Sequence, residues 1–384
     1  MKRLFLTILL NPLNLFVILK YWGRLLLNKN KTVVYNLHHD YFFDLFKDIY
    51  TALTNNGIDV YFSYNSENIG LKHYLKNCGL LSERIISNKI SPFLPFDMFI
   101  TAEVTGPDFP FRLLKTKTVQ IYHGTGVYNL YEKKAVLSRF DVHFAVGPQF
   151  REFIENECLG KNSKTAVYDI GYPKTDRVFQ TADIELAKKY NPENKKAILF
   201  APHWNEFGAL HKFGETIIEE LAKFDAVIII KPHNYLYKKF SGDNWENRFK
   251  TISQKYLNIQ FATEADTQIF YPFSDIMVTD TGTTAAFEFS LFEKPLIVFR
   301  NDEWFYEREH VEVEKSIVET ALTFGEISEL TEVIKQTIAP EENMTTITKQ
   351  QKLQKEMVQK FLYNPGKATG KAVEALLEEL RTKQ

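Results

Sequence analysis

The stretch SDIMVTDTGTTAAFEFSLFEKPLIVFR, from Ser274 to Arg300, decides how the chain folds. Ile276 to Thr279 is a short apolar run of strand length, bounded by polar residues, and it predicts a buried strand. Asp280, Thr281, Gly282, Thr283 and Thr284 form a polar turn, and an apolar pattern at helical spacing begins at Ala285. Pro295 to Phe299 gives a second apolar run after one charged turn, which completes a β-turn-α-β unit of the right-handed crossover kind. Unpaired amides and the positive end of the helix dipole at such a turn favour an anion, for instance a phosphate. The same unit also occurs in many α/β domains with nothing bound, so alone it speaks for the fold more than for function.

The residues before this stretch repeat the pattern. Ala197 to Ala201 is a strand followed by Pro202, His203, Trp204 and Asn205. A helix over Thr216 to Phe224 leads to a strand over Ala226 to Ile230, which ends in Lys231, Pro232, His233 and Asn234, and a further strand lies near Asn258 to Phe261. Three strand ends in this half thus carry groups suited to a phosphate oxygen, through charge and hydrogen bonding. Ligands of open α/β sheets sit at those ends.

The first half has the same grammar. Strands are expected at Thr32 to Leu37, Val60 to Tyr64, Met98 to Ala102, Thr118 to Tyr122, Phe140 to Val146 and Val167 to Ile170, with helices at Tyr41 to Thr54, Leu71 to Cys78 and Gln149 to Glu157. Alternation of this kind argues for mostly parallel sheets covered on both faces. After Tyr122 come His123, Gly124, Thr125 and Gly126. A histidine at a strand end, beside glycines that let a ligand approach, is placed to exchange a proton with a hydroxyl, or else to sit hydrogen-bonded under a loop. His38 and His39 follow the first strand without a glycine turn and read as structural or peripheral. The charged segment after Gly171-Tyr172-Pro173-Lys174 marks a domain boundary, so the chain divides into residues 1–31, 32–180 and 181–384.

Composition narrows the classes. The chain has 384 residues, 45% of them hydrophobic, with 32 Phe and 19 Tyr, as expected of two or three globular domains with large cores. A net charge of −1 gives no global reason to expect nucleic acid. Cys78 and Cys158 show no metal-ligand spacing and read as buried apolar thiols in a reducing compartment. No Walker loop, GxGxxG, nucleophile elbow or zinc motif stands in the right context, so no cofactor or metal is called for by motif. Residues 1–31 depart from this neutrality, with Lys2, Arg3, Lys20, Arg24, Lys29 and Lys31 and no acid. Leu4 to Leu10 and Leu13 to Leu19 are apolar but interrupted by Asn11 and Pro12, too short for a span. Polar residues recur there at helical spacing, which predicts an amphipathic helix in a membrane interface, or a helix packed on the protein.

Taken in order, HGTG at His123, GYPKTD at Gly171, ILFAPHW at Ile198, KPH at Lys231, SDIMVTDTGTTAAFEF at Ser274, KPLIVF at Lys294 and GKAT at Gly366 resemble the motif series of the CDP-glycerol glycerophosphotransferases. These are wall and lipoteichoic acid primases and polymerases, with relatives in capsule synthesis. The resemblance runs from about Met98 to the C-terminus. It implies an α/β fold of GT-B architecture, with two Rossmann-like domains facing across a cleft, held peripherally on the cytoplasmic membrane face. It implies a CDP-activated polyol donor, glycerol phosphate foremost, and a lipid-linked or polymeric saccharide acceptor. It places His123 and His233 as catalytic residues. Gly124, Thr125, Gly126, Pro202, His203, Trp204, Lys231, Asp280, Thr281, Gly282, Thr283, Thr284 and Glu288 are then expected to bind substrate. The chain departs from the family's common wording where it has Thr281-Gly282-Thr283 for Tyr-Ser-Ser, His203 for the Thr of APTW, and Gly126 for Pro. The alternatives are a GT-B enzyme using a UDP-sugar and a non-catalytic membrane-docked protein.

Overall fold

The computed structural model describes residues 11–382 other than 105–110, 112, 125–127, 162, 180–182, 265, 304–311 and 339–343. Its strands are short runs rich in aliphatic, β-branched and aromatic side chains, the composition expected where both faces of a strand are covered. The first sheet contains β1 (Thr32–Leu37), β2 (Asp59–Tyr64), β3 (Ile85–Ser87), β4 (Met98–Thr101), β5 (Lys117–Gln120), β6 (Val142–Ala145) and β7 (Ala166–Asp169), in the order β3-β2-β1-β4-β5-β6-β7. The second contains β8 (Ala197–Ala201), β9 (Val227–Ile230), β10 (Ile259–Phe261), β11 (Ile276–Asp280), β12 (Leu296–Phe299) and β13 (Leu322–Phe324), in the order β10-β9-β8-β11-β12-β13. Every pairing in both sheets is parallel. The strand order reverses between β1 and β4 in one sheet and between β8 and β11 in the other. Those reversals are the switch points at which such sheets bind ligands.

The chain forms two compact units, Met1–Asp176 with Leu362–Gln384, and Arg177–Phe361. The sequence reading put residues 362–384 in the second domain, whereas their helix, Ala368–Arg381, belongs with the first. It buries Ala368, Ala372, Ala375, Leu376 and Leu380 in the cluster that Phe42, Phe46, Ile49 and Leu53 of the helix Asp40–Asn55 form with Val33, Tyr35 and Leu37 of β1. The GYPKTD turn anchors this returning helix. The Asp176 carboxylate accepts hydrogen bonds from the amides of Ala368 (3.0 Å) and Thr369 (2.6 Å) and so caps the helix N-terminus. Asn364 Nδ2 donates to the carbonyls of Asp169 (2.7 Å) and Ile170 (3.3 Å). Gly171 has φ +96°, and a Cβ there would stand 2.1 Å from the Tyr363 carbonyl oxygen, so only glycine fits.

Val34, pointing to the other face of β1, meets a second cluster. The helix Pro12–Leu26, capped by the Asn11 side chain, lays Ile18 and Leu25 there with Tyr61, Ile86, Phe96, Phe99 and Phe111. Trp22 Nε1 donates to the Phe93 carbonyl at 2.8 Å. Of the two readings of this segment, the structure shows the helix packed on the protein, while residues 1–10 lie outside the described residues. Of the two thiols, Cys158 is buried but Cys78, just past the helix Ile69–Asn77, is exposed, contrary to the expectation for it.

Candidate active site

At the second switch point β8 runs into Pro202, His203 and Trp204, and β11 ends in Asp280. Asp280 is the last residue of the strand, in register with Phe299, and not the first of the turn. Its side chain is 2% exposed, and its two oxygens accept hydrogen bonds from the backbone amides of His203 (2.5 Å) and Ala209 (2.7 Å). Gly208 lets it do so, because a Cβ there would lie 3.1 Å from Asp280 Oδ2. Burial pushes this carboxyl up to about 7, against the pull of the two amides. Asp280 thus clamps the loop 203–209 to the end of β11: both its oxygens are taken by amides, which makes it a positioning residue and corrects its assignment as a substrate-binding residue.

The neighbouring side chains sort in the same way. Thr281 is buried, and its amide and hydroxyl both go to the Phe299 carbonyl, at 3.1 and 3.4 Å. It too is structural. Gly282, with φ +80°, turns the chain, and the Thr283 hydroxyl accepts from the Ala285 amide at 3.2 Å, capping the short helix Thr284–Ser290. Thr284 is exposed at the start of that helix. Glu288 is 1% exposed and accepts from the Tyr271 hydroxyl at 3.1 Å, inside the unit and away from any ligand surface. Lys294, of the KPLIVF motif, spends its ammonium on the carbonyls of Tyr271, Pro272 and Ser274 at 3.2, 2.8 and 2.7 Å.

Two histidines remain at this edge, with ring centroids 6.1 Å apart. His203 Nδ1 accepts the Asn205 amide (3.2 Å) and His233 Nδ1 accepts the Tyr235 amide (3.1 Å). A ring nitrogen that accepts from an amide bears no proton, so each neutral ring carries its hydrogen on Nε2 and is a donor there. The His233 amide also donates to the Pro202 carbonyl at 3.2 Å, tying the loops after β8 and β9 together. Trp204 packs against His203 and Tyr235, and Lys239 lies 4.7 Å above its ring. Lys231, 2% exposed, donates to the Pro232 carbonyl (2.9 Å) and Asn234 Oδ1 (3.1 Å). Burial lowers its ammonium to about 8, opposed by the charges of Asp266 and Glu264.

In the first unit His123 has the opposite tautomer. A carbonyl can only accept, so the 3.0 Å contact between its Nδ1 and the Ala102 oxygen fixes the proton on Nδ1 and makes Nε2 the basic nitrogen. Phe42 packs on the ring at 4.9 Å, and the Tyr172 hydroxyl donates to the His123 carbonyl at 2.9 Å. A Cβ on Gly124 would meet nothing within 4 Å, while Thr125 and Gly126 lie outside the described residues. His38 stands at the same carboxyl edge, its Nε2 3.1 Å from Asn36 Nδ2. Its affinity for a proton is lowered by burial and partly restored by Glu103. Sequence reasoning named Asn205, Ala102 and Tyr172 only as parts of a strand or turn, because their roles here are set by tertiary contacts.

Two all-parallel sheets of this strand order define a two-unit α/β fold, one shared with a solved UDP-GlcNAc 2-epimerase and a solved glycosyltransferase. Within that class the chain belongs to the CDP-Glycerol:Poly(glycerophosphate) glycerophosphotransferase family, whose model matches residues 20–378. It is 24% identical over 217 residues to the teichoic acid glycerol-phosphate primase of Bacillus subtilis (strain 168), covering 50% of this chain and 52% of that protein. The match thus spans about half the length of the curated relative. Among solved structures the wall teichoic acid polymerase TagF shares the fold with a TM-score of 0.65 at 15% identity, over 99% of this chain and 97% of that one. The UDP-GlcNAc 2-epimerase of Neisseria meningitidis gives 0.61 at 16% identity, over 90% of this chain and 100% of that one.

Proposed function

We propose that the protein transfers glycerol phosphate, or a closely similar polyol phosphate, from a CDP-linked donor to a hydroxyl of a teichoic acid or related cell-surface polymer. Family membership supports the reaction class, and a solved TagF variant was soaked with CDPG. The observation that carries the assignment of roles is the pair of opposite tautomers. His123 offers an acceptor nitrogen, whereas His203 and His233 offer donors. The acceptor hydroxyl gives its proton to His123 Nε2 as its oxygen attacks the polyol phosphorus. The bond from that phosphorus to the bridging oxygen breaks, and CMP leaves with the bonding electron pair. His233 and Lys231 stabilise the charge that collects on the phosphates, with His203, Gly282, Thr283 and Thr284 around them. Replacing His123 with Ala should cut CMP release by about 100-fold or more, with donor affinity kept. Release at the wild-type rate would refute the role.

The same reading places the chain on the cytoplasmic face of a membrane, as a peripheral protein. No helix among the described residues is long and apolar enough to cross a membrane. What supports the surface location is the outer side of the helix Pro12–Leu26. Its inner side is packed, yet Leu15, Phe16, Leu19 and Leu26 form an exposed stripe, with Phe16 68% and Leu19 62% exposed. Lys20 and Arg24 flank the stripe, which suits anionic headgroups.

A further inference from the structure

The loop that Asp280 clamps contains one buried side-chain amide, and its hydrogen bonding is incomplete. Asn205 is 4% exposed. Its backbone is fully used, the amide donating to His203 Nδ1 (3.2 Å) and the carbonyl accepting from Gly208 (3.2 Å). Its side-chain Nδ2, in contrast, is buried and has no partner among the described residues. A buried donor left unpaired costs stability, and folds tolerate such groups mainly where a ligand completes them. None of the other unpaired buried polar atoms lies in the loop 202–208 or the turn 281–283. Gly208 and Asp280 pack the loop so closely that it cannot simply swing out to hydrate the amide.

We infer that Asn205 is a further binding residue of the donor site, its Nδ2 completed by a phosphate oxygen of the bound nucleoside diphosphate. The inference rests on the functional reading above. An NH2 group can only donate, so its partner must be an acceptor. The groups that share its switch point, His203 Nε2–H and the Gly282 turn, are suited to an anion. Asn205 also fixes the tautomer of His203 through its own amide, so one residue supplies one donor directly and orients another.

The test separates a ligand role from a structural one by their opposite effects on the ligand-free protein. Asn205→Leu keeps the fork at Cγ and removes the unpaired donor. It should leave the melting temperature of the free protein unchanged or raised, while the Kd for CDP, measured by calorimetry on the full chain, rises about tenfold or more. Asn205→Asp, which sets a carboxylate against the phosphates, should bind CDP more weakly still. Unchanged CDP affinity in Asn205→Leu, with or without a lower melting temperature, overturns the assignment of Asn205 alone. Failure of the wild-type protein to bind CDP overturns this assignment together with the functional reading.

Discussion

Lys231 shows how much of this site is held at the cost of stability. An ordinary lysine keeps its proton to about 10.4, whereas burial brings Lys231 down to about 8. The unfolded chain therefore holds more protons than the folded one between those values. The destabilisation is fully present below pH 8 and fades as the pH rises toward the unfolded value. Function has the opposite requirement, since the phosphates need the ammonium. Nucleotide affinity should be flat below pH 8 and fall above it. In Lys231→Met the affinity should drop about tenfold or more and lose that alkaline break, while the free protein melts higher near neutral pH. An identical pH profile in the variant would remove Lys231 from the site. The positions of Lys231, His123, His203 and His233 just after strands, and of the polar turn before the helix, were legible in the sequence, because each follows an apolar run of strand length. Asp280 was misread for a physical reason. The same position that ends β11 also faces two amides contributed by residues 203 and 209, and a tertiary contact of that kind leaves no local pattern. Glu288 lies past the exposed first turn of its helix, with Ala286, Phe287, Phe289 and Ser290 buried beside it, and the sequence did not show that its side chain is enclosed.

Among the elements, the helix Pro12–Leu26 carries the clearest test. Its inner face is part of the first unit's core, so removing the helix would uncover Val34, Tyr61 and Phe99 and would say little about membranes. Changing its outer stripe is the cleaner experiment. Phe16→Glu with Leu19→Glu should abolish sedimentation with vesicles containing anionic phospholipid and leave the melting temperature within a few degrees, because both side chains are exposed. Vesicle binding equal to wild type would refute a membrane role for this face. The helical spacing of these residues was readable. Which side would dock was not, since both sides are apolar and only the partner surface decides. β3 and β13, of three residues each, were not read from the sequence.

For the whole molecule, repeated strand-turn-helix segments were enough to anticipate two parallel sheets, since each apolar run of four to six residues could be satisfied only as a doubly covered strand. The pattern could not say that residues 362–384 return to the first unit. The amphipathic period of the helix Ala368–Arg381 records that it packs, and the surface it packs on is chosen by Asp176 and Gly171, some 190 residues earlier, with Asn364 just before the helix tying it to Asp169 and Ile170. The account's central claim is that this fold acts on a CDP-linked polyol phosphate. Its most direct test offers the full chain CDP-glycerol, CDP-ribitol and UDP-sugars in turn, with a lipid-linked acceptor, and follows nucleotide release. Acceptor-dependent release of CMP from a CDP-polyol, with no turnover of UDP-sugars, is the predicted result. Turnover of a UDP-sugar with both CDP-polyols left intact would contradict it.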